Sequence, residues 1–198
     1  MTNTWRTYRR FADLTPQPWA NGRGTTVELV SAEESVQLTD ATVGTGRWRL
    51  SLASLQEEGP FSPLPGMDRI HTPLDAIELT VDGIPHRIPA LTPFAFDGGA
   101  ATSLTSLPCP TRAVNLMVEQ GDSAAGRLTV QVVDAGAPVT GGGTDGIDGA
   151  DSADRAGRIF VAVALDGTFD LVVPHTGGGE EFRDLAGGTS LVVVTWVA

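Results

Sequence analysis

Short runs of alternating apolar and polar residues dominate this chain. In Arg47–Ala53, Trp48, Leu50 and Leu52 fall on one face of an extended strand, and Arg49, Ser51 and Ala53 on the other. In Thr25–Val30, Val27 and Leu29 oppose Thr26 and Glu28, and in Ala113–Val118, Val114, Leu116 and Val118 oppose Asn115 and Met117. Ala76–Val81, Pro93–Phe96, Leu128–Val133, Ile159–Leu165, Phe169–Val173 and Ser190–Val197 also read as strands between Gly, Pro and Asp turns. Helix signals are few and short, Glu33–Leu38 being the weakest of them. Many closely spaced strands predict an all-β barrel or sandwich rather than a parallel α/β fold. A faint echo, Leu74-Asp75 before one strand pair and Leu165-Asp166 before another, points toward two related halves.

The alternation leaves the destination of the polar faces open. The usual arrangement sends them to solvent. The other turns them into a barrel lumen, where they would line a ligand pocket. Between the strands, Glu57–Arg69 reads as a loop stiffened by Pro60, Pro63 and Pro65 and ended by the adjacent charges of Asp68 and Arg69. Such a loop either holds a charged group at a pocket mouth or forms a rigid surface turn with a surface ion pair.

Composition narrows the functional classes. The 198 residues make one large domain or two small ones, with 24 acidic against 13 basic residues and a net charge of −11. Every basic residue is arginine, and the balance excludes sequence-independent nucleic-acid binding and anionic membrane surfaces. No apolar signal core or bilayer-length run is visible, so a cytoplasmic location is expected. The single Cys109 excludes an intramolecular disulfide. His71, His86 and His175 are far apart with no paired spacing, so no metal or other cofactor is expected. No nucleophile elbow is present, and Asn21-Gly22-Arg23-Gly24 precedes a strand rather than the helix of a phosphate loop. The Gly- and Asp-rich stretch Gly136–Gly157 is too poor in large apolar residues to pack, and a long mobile loop is expected there.

Five segments together resemble the HutD/Ves family of cupin-like proteins. They are Pro18-Trp19-Ala20-Asn21-Gly22-Arg23-Gly24-Thr25-Thr26-Val27-Glu28, Trp48-Arg49-Leu50-Ser51-Leu52-Ala53, Gly59-Pro60-Phe61-Ser62, Pro65-Gly66-Met67-Asp68-Arg69 and Asn115-Leu116-Met117. The resemblance implies a double cupin of RmlC-like jelly-roll barrels, without the usual metal ligands. It is divided here as 1–118 for the first barrel and 119–198 for the second half. It also implies a metal-free, non-enzymatic protein linked to bacterial histidine utilisation, binding a small carboxylate such as urocanate or formylglutamate. A homodimer is the expected assembly.

On this resemblance the polar faces turn inward. Arg49 becomes the fork for a ligand carboxylate, with Ser51, Asn115, Thr26, Glu28, Asn21 and Met117 around it and Arg69, oriented by Asp68, as a second cation. Glu28 either neutralises Arg49 or accepts from the ligand. The sequence departs from the family at Arg23, where a glycine is usual, at His71, usually apolar, at Val114, usually aromatic, and at Glu119-Gln120, often basic. The rival reading is a metal-independent cupin isomerase or epimerase, which needs a positioned acid and base.

Overall fold

The computed structural model describes residues 4–19, 21–39, 46–121, 127–134, 158–175, 182–183 and 189–197. In chain order the strands are β1 (Thr4–Arg9), β2 (Gln17–Pro18), β3 (Gly24–Val30), β4 (Trp48–Leu55), β5 (Gly59–Pro60), β6 (Met67–Pro73), β7 (Ile77–Val81) and β8 (Ile84–Ile88). They continue as β9 (Phe94–Asp97), β10 (Thr102–Ser106), β11 (Thr111–Glu119), β12 (Arg127–Val133), β13 (Arg158–Ala164), β14 (Leu171–His175), β15 (Phe182–Arg183) and β16 (Leu191–Val197). One α-helix, α1 (Ala32–Leu38), stands among them. The fold is all-β, and each of the nine strands expected from alternation is present within a few residues of its expected ends. The helix with the weakest signal forms because Ser31 and Glu34 make a capping box. The Glu34 carboxylate accepts from the Ser31 N–H at 3.0 Å, and the Ser31 hydroxyl accepts from the Glu34 N–H at 3.2 Å.

The strands form two compact units. Leu14–Gln37 with Gly46–Gly121 make one, and Met1–Asp13, Leu38–Thr45 and Asp122–Ala198 the other. The chain is therefore interleaved rather than divided once at residue 118. The cause is the first strand, β1, which pairs antiparallel with β14 from Thr4 opposite His175 to Arg9 opposite Leu171. That pairing spans most of the chain and has no local sequence signature.

In the second of these units, a six-stranded sheet runs β12-β16-β13-β14-β1-β15. Trp5, Ala162, Ala164, Val172, Leu191 and Val193 form its apolar cluster. The Asp170 carboxylate accepts from the Phe11 N–H at 3.0 Å, and the Phe11 and Phe169 rings meet edge to face. The expected loop Gly136–Gly157 lies outside the described residues.

In the unit containing Leu14–Gln37 and Gly46–Gly121, a six-stranded sheet β2-β3-β4-β11-β6-β9 faces a four-stranded sheet β5-β10-β7-β8. Ala53, Leu55 and Ala113 of the first sheet cluster with Ile77, Leu79, Ile88 and Leu104 of the second, so the core lies between the two sheets. Burial of the opposite face, with Trp48, Leu50 and Leu116 fully inaccessible, explains why both sides of β4 and β11 are covered. Arg69 belongs to a strand rather than to the end of a loop. Pro65 and Gly66 make the turn, Gly66 at φ 80°, and β6 then pairs with β11 from Met67 onward.

Candidate ligand-binding site

Cross-strand register sets the polar rows on the inner face of the large sheet. Phe96, Arg69, Met117 and Arg49 stand side by side in one row, running from β9 through β6 and β11 to β4. The next row is Phe94, His71, Asn115, Ser51 and Glu28. Below it, Ala113, Ala53 and Thr26 merge with the apolar core. Directly opposed residues share a face, so alternation along each strand places these side chains together.

A cavity of about 260 Å³ opens over the first two rows. Its wall takes Ser51, Arg69, His71, Asn115 and Met117 from the sheet, with Thr26 at the side. Pro60, Phe61, Ser62 and Leu64 come from the proline-rich loop, and Trp19 and Asn21 from the turn between β2 and β3. No carboxylate lines it among the described residues. Six residues expected at the site line the cavity: Asn21, Thr26, Ser51, Arg69, Asn115 and Met117. Arg49 and Glu28 do not. They sit on the same inner face at its margin, where Arg49 Nε donates to Glu28 Oε2 at 2.9 Å and Nη2 lies 2.8 Å from the same oxygen. Both side chains are about two-fifths exposed, at 42% and 41%.

The cation that lines the cavity is Arg69, only 7% exposed. Its guanidinium lies 4.9 Å from the centre of the Phe61 ring and 5.3 Å from that of Phe96, a favourable cation–π geometry. Nη2 donates to Asn115 Oδ1 at 3.3 Å. Burial pulls its pKa down to about 10, which leaves it charged at neutral pH. Asp68 does not orient it. Successive strand residues point to opposite faces, and the Asp68 carboxylate accepts instead from Gln120 Nε2 at 2.9 Å.

His71 was not among the expected site residues, yet it is 1% exposed and stands beside Asn115, with Nδ1 at 2.7 Å from Oδ1. Burial, with the Arg69 charge adding to it, pushes its pKa down to about 4 against the opposing pull of the Asn115 hydrogen bond. It is neutral at physiological pH. Its hydrogen bond goes to an amide rather than to an acid or base, so the acid–base pair an isomerase needs is not assembled there. His86 packs on Phe94 at 4.8 Å between ring centres. Among the described residues, no three His, Cys, Asp or Glu side chains come together in a metal-holding group.

The loop over the cavity is fixed by Arg23, whose Nη1 donates to the Glu58 carbonyl, and Gly59 leaves the space that guanidinium occupies. Asn21 Oδ1 accepts from the Arg23 N–H at 3.0 Å, closing an Asx turn. Trp19 Nε1 donates to Thr26 Oγ1 at 2.7 Å, and its ring meets Phe61 edge to face. Phe61 and Trp19 carried no periodic signal because loops and turns supply them. His71 did carry one: Arg69, His71 and Pro73 alternate with Ile70 and Thr72.

No helix among the described residues is long and apolar enough to cross a membrane. Comparison with known proteins places these features. An uncharacterised 21.2 kDa protein in the hutC 3′ region of Pseudomonas putida is 39% identical over 111 residues, which cover 54% of this chain and 55% of that protein. Protein Ves of Escherichia fergusonii is 34% identical over 83 residues, 40% of each chain. The chain thus spans about half the length of the relatives it matches, or less. Among solved structures, HutD from Pseudomonas fluorescens SBW25 aligns with 96% of this chain and 98% of its own at 24% identity, with a TM-score of 0.55. A conserved protein of unknown function from Pseudomonas aeruginosa PAO1 aligns over 97% and 92% at 22% identity, with a TM-score of 0.52. These two share the fold. The family model described as HutD matches residues 11–146, well over half of the sequence, and this chain belongs to the HutD family.

Proposed function

We propose that the cavity binds a small carboxylate and that Arg69 is the residue that recognises it. The observation that carries this reading is a buried guanidinium in a cavity wall without a carboxylate. Leaving a charge away from water with no counter-ion is costly. A ligand anion would supply the missing partner and could use the planar fork of donors that an ammonium lacks. Phe61, Leu64 and Trp19 supply apolar walls, and Ser51 supplies a neutral polar group, the usual composition of a small-molecule site.

In this reading the protein is a metal-free, non-enzymatic double cupin that senses or sequesters an acid of histidine breakdown, urocanate or formylglutamate, and so regulates histidine utilisation in the cytoplasm. Family membership and the hutC-region relative support that context. Calorimetric titration of the full chain with urocanate, formylglutamate and formate tests the reading. Binding of at least one acid, lost in Arg69→Met, is the expected result. Silence with all three, or unchanged affinity in that variant, would overturn it.

A further inference from the structure

Two residues of the cavity wall each carry a buried side-chain nitrogen with no hydrogen-bond partner among the described residues: Arg69 Nε and His71 Nε2. The first is a donor by its chemistry. The character of the second depends on the ring tautomer, and its neighbours determine that. Arg69 Nη2 at 3.3 Å and His71 Nδ1 at 2.7 Å converge on the same atom of the Asn115 amide. The other amide atom lies 3.5 Å from the Ala113 carbonyl oxygen.

A guanidinium only donates and a carbonyl only accepts, so the Asn115 atom facing Arg69 is the oxygen and the one facing Ala113 is the NH₂ group. Flipping the amide would set donor against donor and acceptor against acceptor. His71 Nδ1, pointing at that oxygen, therefore carries a hydrogen. Burial keeps the ring neutral, and a neutral ring protonated at Nδ1 has a bare lone pair at Nε2.

We infer that this cavity selects acids that also carry an N–H or O–H donor, the carboxylate meeting Arg69 and the donor meeting His71 Nε2. This rests on the carboxylate reading above and names the ligand class within it. A plain carboxylate satisfies the donor in the wall and leaves the acceptor unpaired. Sites that hydrogen-bond a ligand donor reject the analogue lacking it, because the buried partner is stranded.

The test pairs urocanate, which has a ring N–H, with furylacrylate, whose ring of similar size has only an acceptor oxygen. Calorimetry on the full chain should show urocanate binding about tenfold tighter or more. Nitrogen-15 NMR of the unliganded protein should find the His71 proton on Nδ1 and an unprotonated Nε2. The Nε2 resonance should move with urocanate and stay in place with furylacrylate. A proton on Nε2, or equal affinity for the two acids, overturns the inference while leaving carboxylate binding intact. Silence with both acids, and with formylglutamate and formate as well, defeats both readings together.

Discussion

Arg49 and Arg69 occupy the same row of the same sheet face, with Met117 between them, yet their circumstances are opposite. Arg49 is two-fifths exposed and ion-paired with Glu28. Arg69 is almost fully buried, packed between Phe61 and Phe96, and paired with no carboxylate among the described residues. Alternation assigns both to the inner face and cannot separate them. What separates them is cover. The loop bearing Pro60, Phe61, Ser62 and Leu64 lines the cavity with Arg69, whereas Arg49 lies beyond its margin. A charge in water with a partner is already satisfied, and a buried one without a partner is poised for a ligand.

The largest effect should come from exchanging the two arginines for methionine. Arg69→Met should weaken binding of the acid by about a hundredfold or more, since it strands a carboxylate in a dry site. Arg49→Met should change affinity by less than about threefold. The same pair should reverse in stability. Removing a buried, uncompensated charge costs little, so Arg69→Met should lie within about 1 kcal/mol of the parent in urea denaturation. An Arg49 variant that loses binding while Arg69→Met keeps it would move the site to the Arg49–Glu28 pair.

Alternation in the sequence marked nine of the described strands, β3, β4, β7, β9, β11, β12, β13, β14 and β16, and which residues of each share a face. By contrast, β1, β2, β5, β6, β8, β10 and β15 were not read from it. Arg69 was misassigned to a loop end because Pro60, Pro63 and Pro65 crowd the segment before it. The β-branched residues Ile70 and Thr72, alternating with Arg69 and His71, marked a strand nonetheless. Trp19 and Phe61 were beyond reach of periodicity, since turns and loops place them by tertiary contacts. The pairing of β1 with β14 was equally hidden, for it joins distant segments and leaves no local pattern.

His71 extends the contrast to acid. In the unfolded chain it protonates near pH 6.5, and in the folded one only near pH 4. Between those values the unfolded state binds more protons. Stability therefore falls as the pH drops from 6.5 to 4, by about 3 kcal/mol in all. Chemical denaturation over that range, compared with His71→Gln, should show the wild type losing this increment and the variant keeping it. Arg49→Met should retain the wild-type slope. Parallel pH profiles for wild type and His71→Gln would mean that His71 is not held neutral in the wall.

Gly59 tests the cover itself. At φ 152°, alanine has an unfavourable backbone, and its Cβ would push aside the Arg23 guanidinium that stands there. Gly59→Ala should cost about 1–3 kcal/mol of stability and displace Phe61 from Arg69. Fluorescence of Trp19, which touches Phe61, is a direct readout. If the variant is as stable as the parent and its ligand affinity is unchanged, the loop does not create the difference between the two arginines.

The smallest effect belongs to the Arg49–Glu28 pair. Two of the guanidinium nitrogens, Nε and Nη2, contact one carboxylate oxygen rather than forming the two-oxygen fork, and both side chains reach solvent. A double-mutant cycle with Arg49→Met and Glu28→Gln should give a coupling below about 1 kcal/mol. Added salt should shrink it further, because exposed charges are screened within roughly 10 Å at moderate ionic strength. Ligand affinity should stay level across all four corners of the cycle. A large, salt-insensitive coupling would mean that this pair is buried in solution, and the two arginines would then no longer differ by their exposure to water.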